Sequence, residues 1–72
     1  MLLSVIVPIY NEEEIIASTF STLEKELADI EHELIFVNDG STDNTRSILE
    51  ALLEHTPQNK LINFSRNFGH QA

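Results

Sequence analysis

Short apolar runs alternate with longer amphipathic segments along the chain. The runs at residues 2–9, 33–38 and 60–64 are rich in β-branched and large apolar residues, which is typical of strands in a parallel sheet. Between the runs, apolar residues recur at spacings of three and four, which predicts helices that pack one face on the sheet. The predicted apolar faces are Ile16, Phe20, Leu23, Leu27 and Ile30 in the first helix, and Ile48, Leu49, Leu52 and Leu53 in the second. This β-α-β-α-β order predicts parallel strands joined by right-handed crossovers.

Capping and breaking residues predict where the two helices begin and end. Asn11 can cap the first helix, with a glutamate three residues later as in a capping box, and this helix is expected to end near Ile30. Ser41 or Thr42 can cap the second helix, with Asp43 in its first turn, and the segment 55–57, which contains a proline, should stop it.

The length and charge of the chain limit its possible functions. Its 72 residues allow one small domain, and 12 acidic against 4 basic residues give a formal charge of -8. An anionic surface repels a phosphate backbone, which disfavours nucleic-acid binding. The chain has no cysteine, no secretory signal and no apolar run long enough for a membrane span. We therefore expect a cytoplasmic location.

Polar clusters follow each of the three predicted strands. They lie at residues 8–12, 38–41 and 65–67. Because the strands are predicted to be parallel, the three clusters should meet at one edge of the sheet. Ligands of open α/β sheets bind in the crevice beyond the carboxyl ends of the strands. The pattern therefore indicates a site for a nucleotide or a similar polar small molecule.

Three side chains in these clusters have both a ligand-binding and a structural interpretation. Asp39 can accept hydrogen bonds from ribose hydroxyls or a base N–H, or it can cap a turn before Gly40. Arg66 can pair with a diphosphate, or it can form a surface salt bridge. Tyr10 can flank a base, or it can pack over the end of the sheet. The residue types alone leave these alternatives open.

Other nucleotide- and metal-binding folds fit the sequence poorly. A dinucleotide-binding fold needs a glycine-rich turn after the first strand, where this chain has three consecutive glutamates that would repel a pyrophosphate. The segment 39–50 resembles a calcium-binding loop but has Asn44 at the turn glycine and follows a strand. A phosphoacceptor receiver domain requires an aspartate at the end of the third strand, and Ser65 occupies that region.

Three longer motifs make the chain resemble a known family. They are SVIVPIYNEEE at 4–14, FVNDGSTDNT at 36–45 and FSRNFGHQA at 64–72. Together they resemble the N-terminus of the family 2 glycosyltransferases, most closely the polyprenyl-phosphate branch with dolichol-phosphate mannosyltransferases and bactoprenol glucosyltransferases. The resemblance implies an α/β fold, the three-stranded parallel half of a Rossmann-like nucleotide-sugar-binding domain of the A type. Residues 1–72 would then be a single truncated N-terminal portion.

The resemblance also implies the roles of individual residues. The family uses the positions of Pro8, Tyr10, Glu12, Val37 and Asp39 to hold the base and ribose of a UDP- or GDP-linked sugar. It also uses a divalent metal, Mg²⁺ or Mn²⁺, on a later Asp-x-Asp motif that is absent from this sequence. The acceptor in such relatives is a lipid phosphate, reached at the cytoplasmic face of a membrane. We therefore expect nucleotide binding by this chain and no sugar transfer by it alone.

A second interpretation is a non-catalytic nucleotide-binding or interaction module. In a 3-2-1-4 strand order, the first strand would lack its neighbour, so residues 3–7 should form an exposed apolar edge. Such an edge predicts self-association of the isolated chain.

Overall fold

Three parallel strands and two helices alternate along residues 1–64, the part of the chain that the computed structural model describes. The elements are β1 (Leu3–Ile9), α1 (Ile16–Glu26), β2 (His32–Asp39), α2 (Thr45–Leu53) and β3 (Lys60–Phe64). The strand order is β1-β2-β3, and both pairs are parallel. The predicted α/β fold with β-α-β-α-β order is confirmed, and β1 is an outer strand of the sheet as expected.

Both helices pack on one face of the sheet. Side chains alternate between the faces of a strand, so every second residue of β2 points toward the helices. There, Leu34 and Phe36 are fully buried, and the ring centroid of Phe36 lies 6.1 Å from that of Phe20 in α1. The buried core consists of Ile9, Ile16, Phe20, Leu34, Phe36 and Leu49. This single apolar layer between helices and sheet fixes how the ends of the strands are arranged.

The other face of the sheet is uncovered by any of the residues that the structure describes. The side chains there include Ile6, which is 60% exposed, and Phe64, which is 56% exposed. Val37 and Ile62, which are paired in the β2–β3 register, also lie on this face. We call this surface the open face.

Helix α1 is shorter at both ends than the sequence pattern predicts. The predicted cap at Asn11 is wrong, because this residue adopts a left-handed φ of 49° and the helix begins five residues later at Ile16. The predicted end near Ile30 is also wrong, because α1 ends at Glu26 and Ile30 is 46% exposed. The carbonyl of Glu31 already accepts the N–H of Leu3, so the chain has to turn before that point to enter the sheet.

Helix α2 begins later than predicted and ends as predicted. Its N-cap position is Asn44 rather than Ser41 or Thr42, and the Asn44 side chain makes no capping hydrogen bond. Instead the carboxylate of Asp43 accepts the N–H of Thr45 at 2.9 Å. The helix ends at Leu53, ahead of the predicted stop signal. In the described part of the chain, neither helix is long and apolar enough to cross a membrane.

A polar cluster closes the end of the sheet opposite the predicted ligand edge. Asn59 is 5% exposed, and its Oδ1 accepts the buried N–H of Leu34 at 2.8 Å. Its amide nitrogen donates to Glu24 at 3.4 Å, and Glu24 also bonds His32 Nε2 at 2.6 Å. Nδ1 of His32 lies 2.7 Å from the carbonyl oxygen of Ile30, so both ring nitrogens face acceptors.

Candidate functional site

Three of the predicted site residues share the open face at the carboxyl ends of β1 and β2. Pro8 and Val37 are direct partners in the β1–β2 register. Asp39 lies two residues after Val37 and therefore on the same face of β2. In the β2–β3 register, Val37 is paired with Ile62 and Asp39 with Phe64. The arrangement puts a carboxylate beside an apolar surface, which suits a group that is flat and apolar on its faces and has N–H or O–H donors at its edge.

Two further predicted residues lie in the loop after β1, and one lies outside the described residues. We call residues 10–15 the first loop and residues 40–44 the second loop. Tyr10 opens the first loop and is 47% exposed. The carboxylate of Glu12 turns back and accepts the N–H of Tyr10 at 3.1 Å. Arg66 lies outside the part of the chain that the structure describes.

Side chains of the second loop and of α2 bind the backbone of the first loop. Three consecutive amides of the first loop are held in this way by oxygen atoms more than 29 residues distant in sequence. The bonds run from Asn11 N to Ser41 Oγ (2.9 Å), from Glu12 N to Thr45 Oγ1 (2.8 Å) and from Glu13 N to Asp43 Oδ2 (3.2 Å). The backbone of the first loop is thereby fixed to the end of β2 and the start of α2.

Side chains of the first loop bind the backbone of the second loop in return. Oδ1 of Asn11 accepts the N–H of Thr42 at 2.7 Å. Oε1 of Glu13 accepts the N–H of Asn44 at 2.8 Å. The two loops are thus joined by reciprocal side-chain to backbone bonds, and we call this set of bonds the cross-loop network.

Asp43 and Thr45 form the centre of the cross-loop network. Thr45 is fully buried, and its hydroxyl donates to Asp43 Oδ1. A hydroxyl has a single proton, and Thr45 donates it to Asp43. Thr45 Oγ1 therefore accepts the N–H of Glu12 through a lone pair. Desolvation acts to raise the pKa of the Asp43 carboxyl, but hydrogen bonds from the Thr45 hydroxyl and amide and from the Glu13 amide outweigh it and hold the pKa below its ordinary value. The network therefore favours an ionised Asp43.

Backbone geometry in both loops depends on residues that tolerate a positive φ. Asn11 has a φ of 49° and Gly40 a φ of 74°. Asparagine is one of the side-chain-bearing residues that enter this region most readily, and glycine enters it without a steric penalty. The buried Asn38 supports the second turn, because its Oδ1 accepts the N–H of Ser41 at 3.1 Å and its amide group donates to Asn63 at 2.9 Å.

A cavity of about 420 Å³ opens beside the first loop, and its lining is acidic. The lining residues are Asn11, Glu12, Glu13, Glu14, Ile15 and Asp43. Four carboxylates in one wall disfavour a phosphate. Within residues 1–64, no three His, Asp or Glu side chains are arranged to hold a metal ion. The described residues therefore do not fit the divalent metal that the family resemblance implies.

Sequence reasoning missed the functions of Asn11, Asp43 and Thr45. It assigned Asn11 to a helix cap and Asp43 to the first turn of α2, and it gave Thr45 no role. A usable signal was present in the sequence, because an aspartate two residues before a threonine at a helix start is typical of local carboxylate to backbone bonding. The partners across the loops, about 30 residues distant, have no such local signal.

Comparison with known proteins supports the resemblance found in the sequence. The family model for glycosyl transferase family 2 matches residues 4–72. An uncharacterised glycosyltransferase of Bacillus subtilis, YkcC, is 50% identical over an alignment 74 residues long, which covers 94% of this chain and 22% of that protein. The prophage bactoprenol glucosyl transferase homolog of Escherichia coli K12 and the bactoprenol glucosyl transferase of Shigella phage SfX are each 44% identical over 71 residues, covering 96% of this chain and 23% of each relative.

The chain thus spans less than a quarter of the length of these relatives. No solved structure matches it at a significant level. The family model covers nearly the whole sequence, and the fold agrees with the one that the resemblance implies. This chain belongs to glycosyl transferase family 2.

Proposed function

We propose that this chain binds the nucleotide of a nucleotide-sugar donor in a glycosyltransferase that passes the sugar to a lipid phosphate such as a polyprenyl phosphate. The observation that carries the proposal is the shared position of Pro8, Val37 and Asp39 on the open face at the carboxyl ends of the strands. Ligands of open α/β sheets bind at this edge. Two relatives are named as a bactoprenol glucosyl transferase or its homolog, which supports the reaction class.

The geometry suggests how a nucleotide would be held. The base would lie against the apolar surface of Pro8 and Val37, and the carboxylate of Asp39 would accept hydrogen bonds from a base N–H or from the ribose hydroxyls. Tyr10 would flank the base from the first loop. A carboxylate that accepts such bonds discriminates against ligands without donors, because its own desolvation is then left uncompensated. Arg66 remains our candidate partner for the diphosphate.

The proposal assigns no chemical step to these residues. Displacement at the anomeric carbon releases a nucleoside diphosphate, whose charge a divalent cation can neutralise. Residues 1–64 offer no ligand set for such an ion, and no Asp-x-Asp occurs in the sequence. We therefore expect donor binding without transfer by the 72-residue chain, and a cytoplasmic setting is part of the same proposal.

A non-catalytic interaction module is the second candidate function. It is favoured by the exposed apolar side chains of the open face, such as Ile6 and Phe64, and by the position of β1 as an outer strand. Sheet edges and apolar faces of this kind recruit other chains. The two candidates differ in whether a nucleotide binds at Asp39.

Calorimetric titration of the 72-residue chain with uridine and guanosine diphosphates tests the proposal. We expect one of the two nucleotides to bind. Asp39→Ala should weaken this binding by about 1.5–3 kcal/mol, or about 10- to 150-fold, the range for hydrogen bonds to a charged group. Asp29→Ala is the matched control, because Asp29 is exposed in the turn after α1, at the other end of the sheet. Release of nucleoside diphosphate from the corresponding sugar donor, with Mn²⁺ and a polyprenyl phosphate present, should stay at the blank rate.

Each result has a distinct meaning. Equal affinity of the parent and Asp39→Ala would show that Asp39 serves only the turn before Gly40. Absence of binding by the parent to both nucleotides would reject nucleotide binding and favour the interaction module. Sugar transfer above the blank rate would show that the residues needed for chemistry lie within this sequence.

A further inference from the structure

We propose that Asp43 and Thr45 are positioning residues of the nucleotide site, which hold the first loop, and with it Tyr10, in register with Asp39. The inference rests on the proposed function, because it concerns the arrangement of the same site. Neither residue is placed against the ligand. They act through the backbone of the first loop, which their side chains bind.

The path from Asp43 to the candidate site consists of consecutive hydrogen bonds. Asp43 Oδ1 accepts the Thr45 hydroxyl, and Thr45 Oγ1 accepts the N–H of Glu12 at 2.8 Å. The carboxylate of Glu12 in turn accepts the N–H of Tyr10 at 3.1 Å. The other carboxylate oxygen of Asp43 accepts the N–H of Glu13 at 3.2 Å. One ionised side chain thereby orients the residues that follow Tyr10.

The second loop connects the same network to Asp39. Ser41, two residues after Asp39, accepts the N–H of Asn11 at 2.9 Å. Tyr10 opens the first loop and Asp39 directly precedes the second loop, and the two loops are bonded to each other just beyond them, at Asn11 and Ser41. A site that takes one wall from each of two loops binds tightly only if the loops keep a fixed separation before the ligand arrives. The cross-loop network supplies this preorganisation.

Position in the fold separates this role from general stabilisation. The apolar core lies between the helices and the sheet. It includes Ile9 and Ile16 on either side of the first loop but no residue of that loop. Most of the cross-loop bonds join exposed groups, whose amides can bond water when the partner is removed. Loss of the network should therefore loosen the two loops while the strands stay paired.

Thr45→Val and Thr45→Ser in the 72-residue chain test the inference. Valine matches the shape of threonine but removes both the donor to Asp43 and the acceptor for Glu12, whereas serine keeps both. We expect Thr45→Val to weaken binding of the nucleoside diphosphate by about tenfold, equivalent to about 1.4 kcal/mol, and Thr45→Ser to restore affinity to within about twofold of the parent. Thr22→Val, on the exposed surface of α1, is the matched control.

Amide hydrogen exchange supplies the readout that separates positioning from folding. In Thr45→Val, the amides of Glu12 and Glu13 should lose protection while those of Leu34 and Phe36 in β2 keep it. Weaker binding with this local pattern supports the inference. Binding of Thr45→Val within about twofold of the parent overturns the inference and leaves nucleotide binding in place. A parent that binds neither uridine nor guanosine diphosphate rejects both.

Asp43→Asn decides the matter if Thr45→Val also loses protection in β2. Asparagine keeps an oxygen for Thr45 but presents an amide group, which cannot accept, to the N–H of Glu13. We expect about fivefold weaker binding, about 1 kcal/mol, the net worth of one hydrogen bond. Unchanged affinity in Asp43→Asn would overturn the inference.

Discussion

Removal of the Asn59 side chain should destabilise the fold, because this side chain accepts a backbone N–H of β2 at a position where β3 does not pair with β2. Pairing between β2 and β3 begins at Ile35 and Lys60, so the N–H of Leu34 lies just before the paired region. Leu34 is fully buried, and Asn59 Oδ1 accepts its N–H at 2.8 Å. In Asn59→Ala, this donor would have no protein partner among the described residues and little access to water.

The expected cost follows from the burial of this donor. A buried polar group without a partner costs about 1–3 kcal/mol, and we expect about 2 kcal/mol, since Asn59 also donates to Glu24. In a domain of 60–100 residues, 1 kcal/mol shifts the melting temperature by about 4–8 °C. Asn59→Ala should therefore melt about 8–16 °C below the parent. The expected cost of about 2 kcal/mol is a large share of the free energy of unfolding of a typical domain, ~5–15 kcal/mol.

Thermal melts followed by circular dichroism, at one protein concentration throughout, measure this shift. Gln58→Ala is the matched control, because Gln58 is the exposed neighbour of Asn59. Hydrogen exchange of the Leu34 amide reports the same bond locally and should be fast only in Asn59→Ala. A melting temperature of Asn59→Ala within 2 °C of the control, equivalent to about 0.3–0.5 kcal/mol, together with a protected Leu34 amide, would refute the reasoning.

Two further predictions concern pH and association. The hydrogen bond to Glu24 is the largest cause, and the bond to the Ile30 carbonyl the next, of a His32 pKa above its ordinary value. The protonated His32 side chain therefore stabilises the fold. This contribution is complete below the unfolded pKa of about 6.5 and is lost as the pH rises through the higher folded value. Urea titrations at a series of pH values should show this loss in the parent and in His55→Gln but not in His32→Gln, and a loss that persists in His32→Gln would contradict the assignment. The open face and the outer strand β1 predict self-association at micromolar concentration, which Ile6→Lys should reduce in light scattering coupled to size exclusion. A strictly monomeric parent with a cooperative melt well above ~65 °C would show that the described fold is self-sufficient.

Strands and helices were predictable because their signals are local. The apolar runs that became β1, β2 and β3 are short and rich in β-branched or large residues, and the helix spacing placed Phe20 and Leu49 in the core correctly. The parallel order then brings Pro8 and Val37 together without any knowledge of side-chain contacts. This part of the candidate site follows from topology, since parallel strands end at the same edge.

Loop contacts were not predictable from the same signals. Asparagine, serine, threonine and aspartate can bond the backbone of their own turn or that of a distant one, and local sequence does not distinguish the two. Asn11 has the sequence context of a helix cap, yet its Oδ1 binds Thr42 across the loops. The same ambiguity explains the wrong predictions for Ser41 and Thr42, which also bond Asn11 instead of capping α2.

The positions of the carboxylates limit where a diphosphate can extend from the candidate site. Glu13, Glu14 and Asp43 line the cavity beside the first loop, and their combined charge opposes a phosphate there. Pro8, Val37 and Asp39 lie instead on the open face, next to the carboxyl end of β3. In our proposal, a nucleotide whose base rests on that face would therefore extend its diphosphate away from the first loop and along the open face toward the carboxyl end of β3. Arg66, one of the four basic residues of the sequence, stays our predicted partner for the diphosphate.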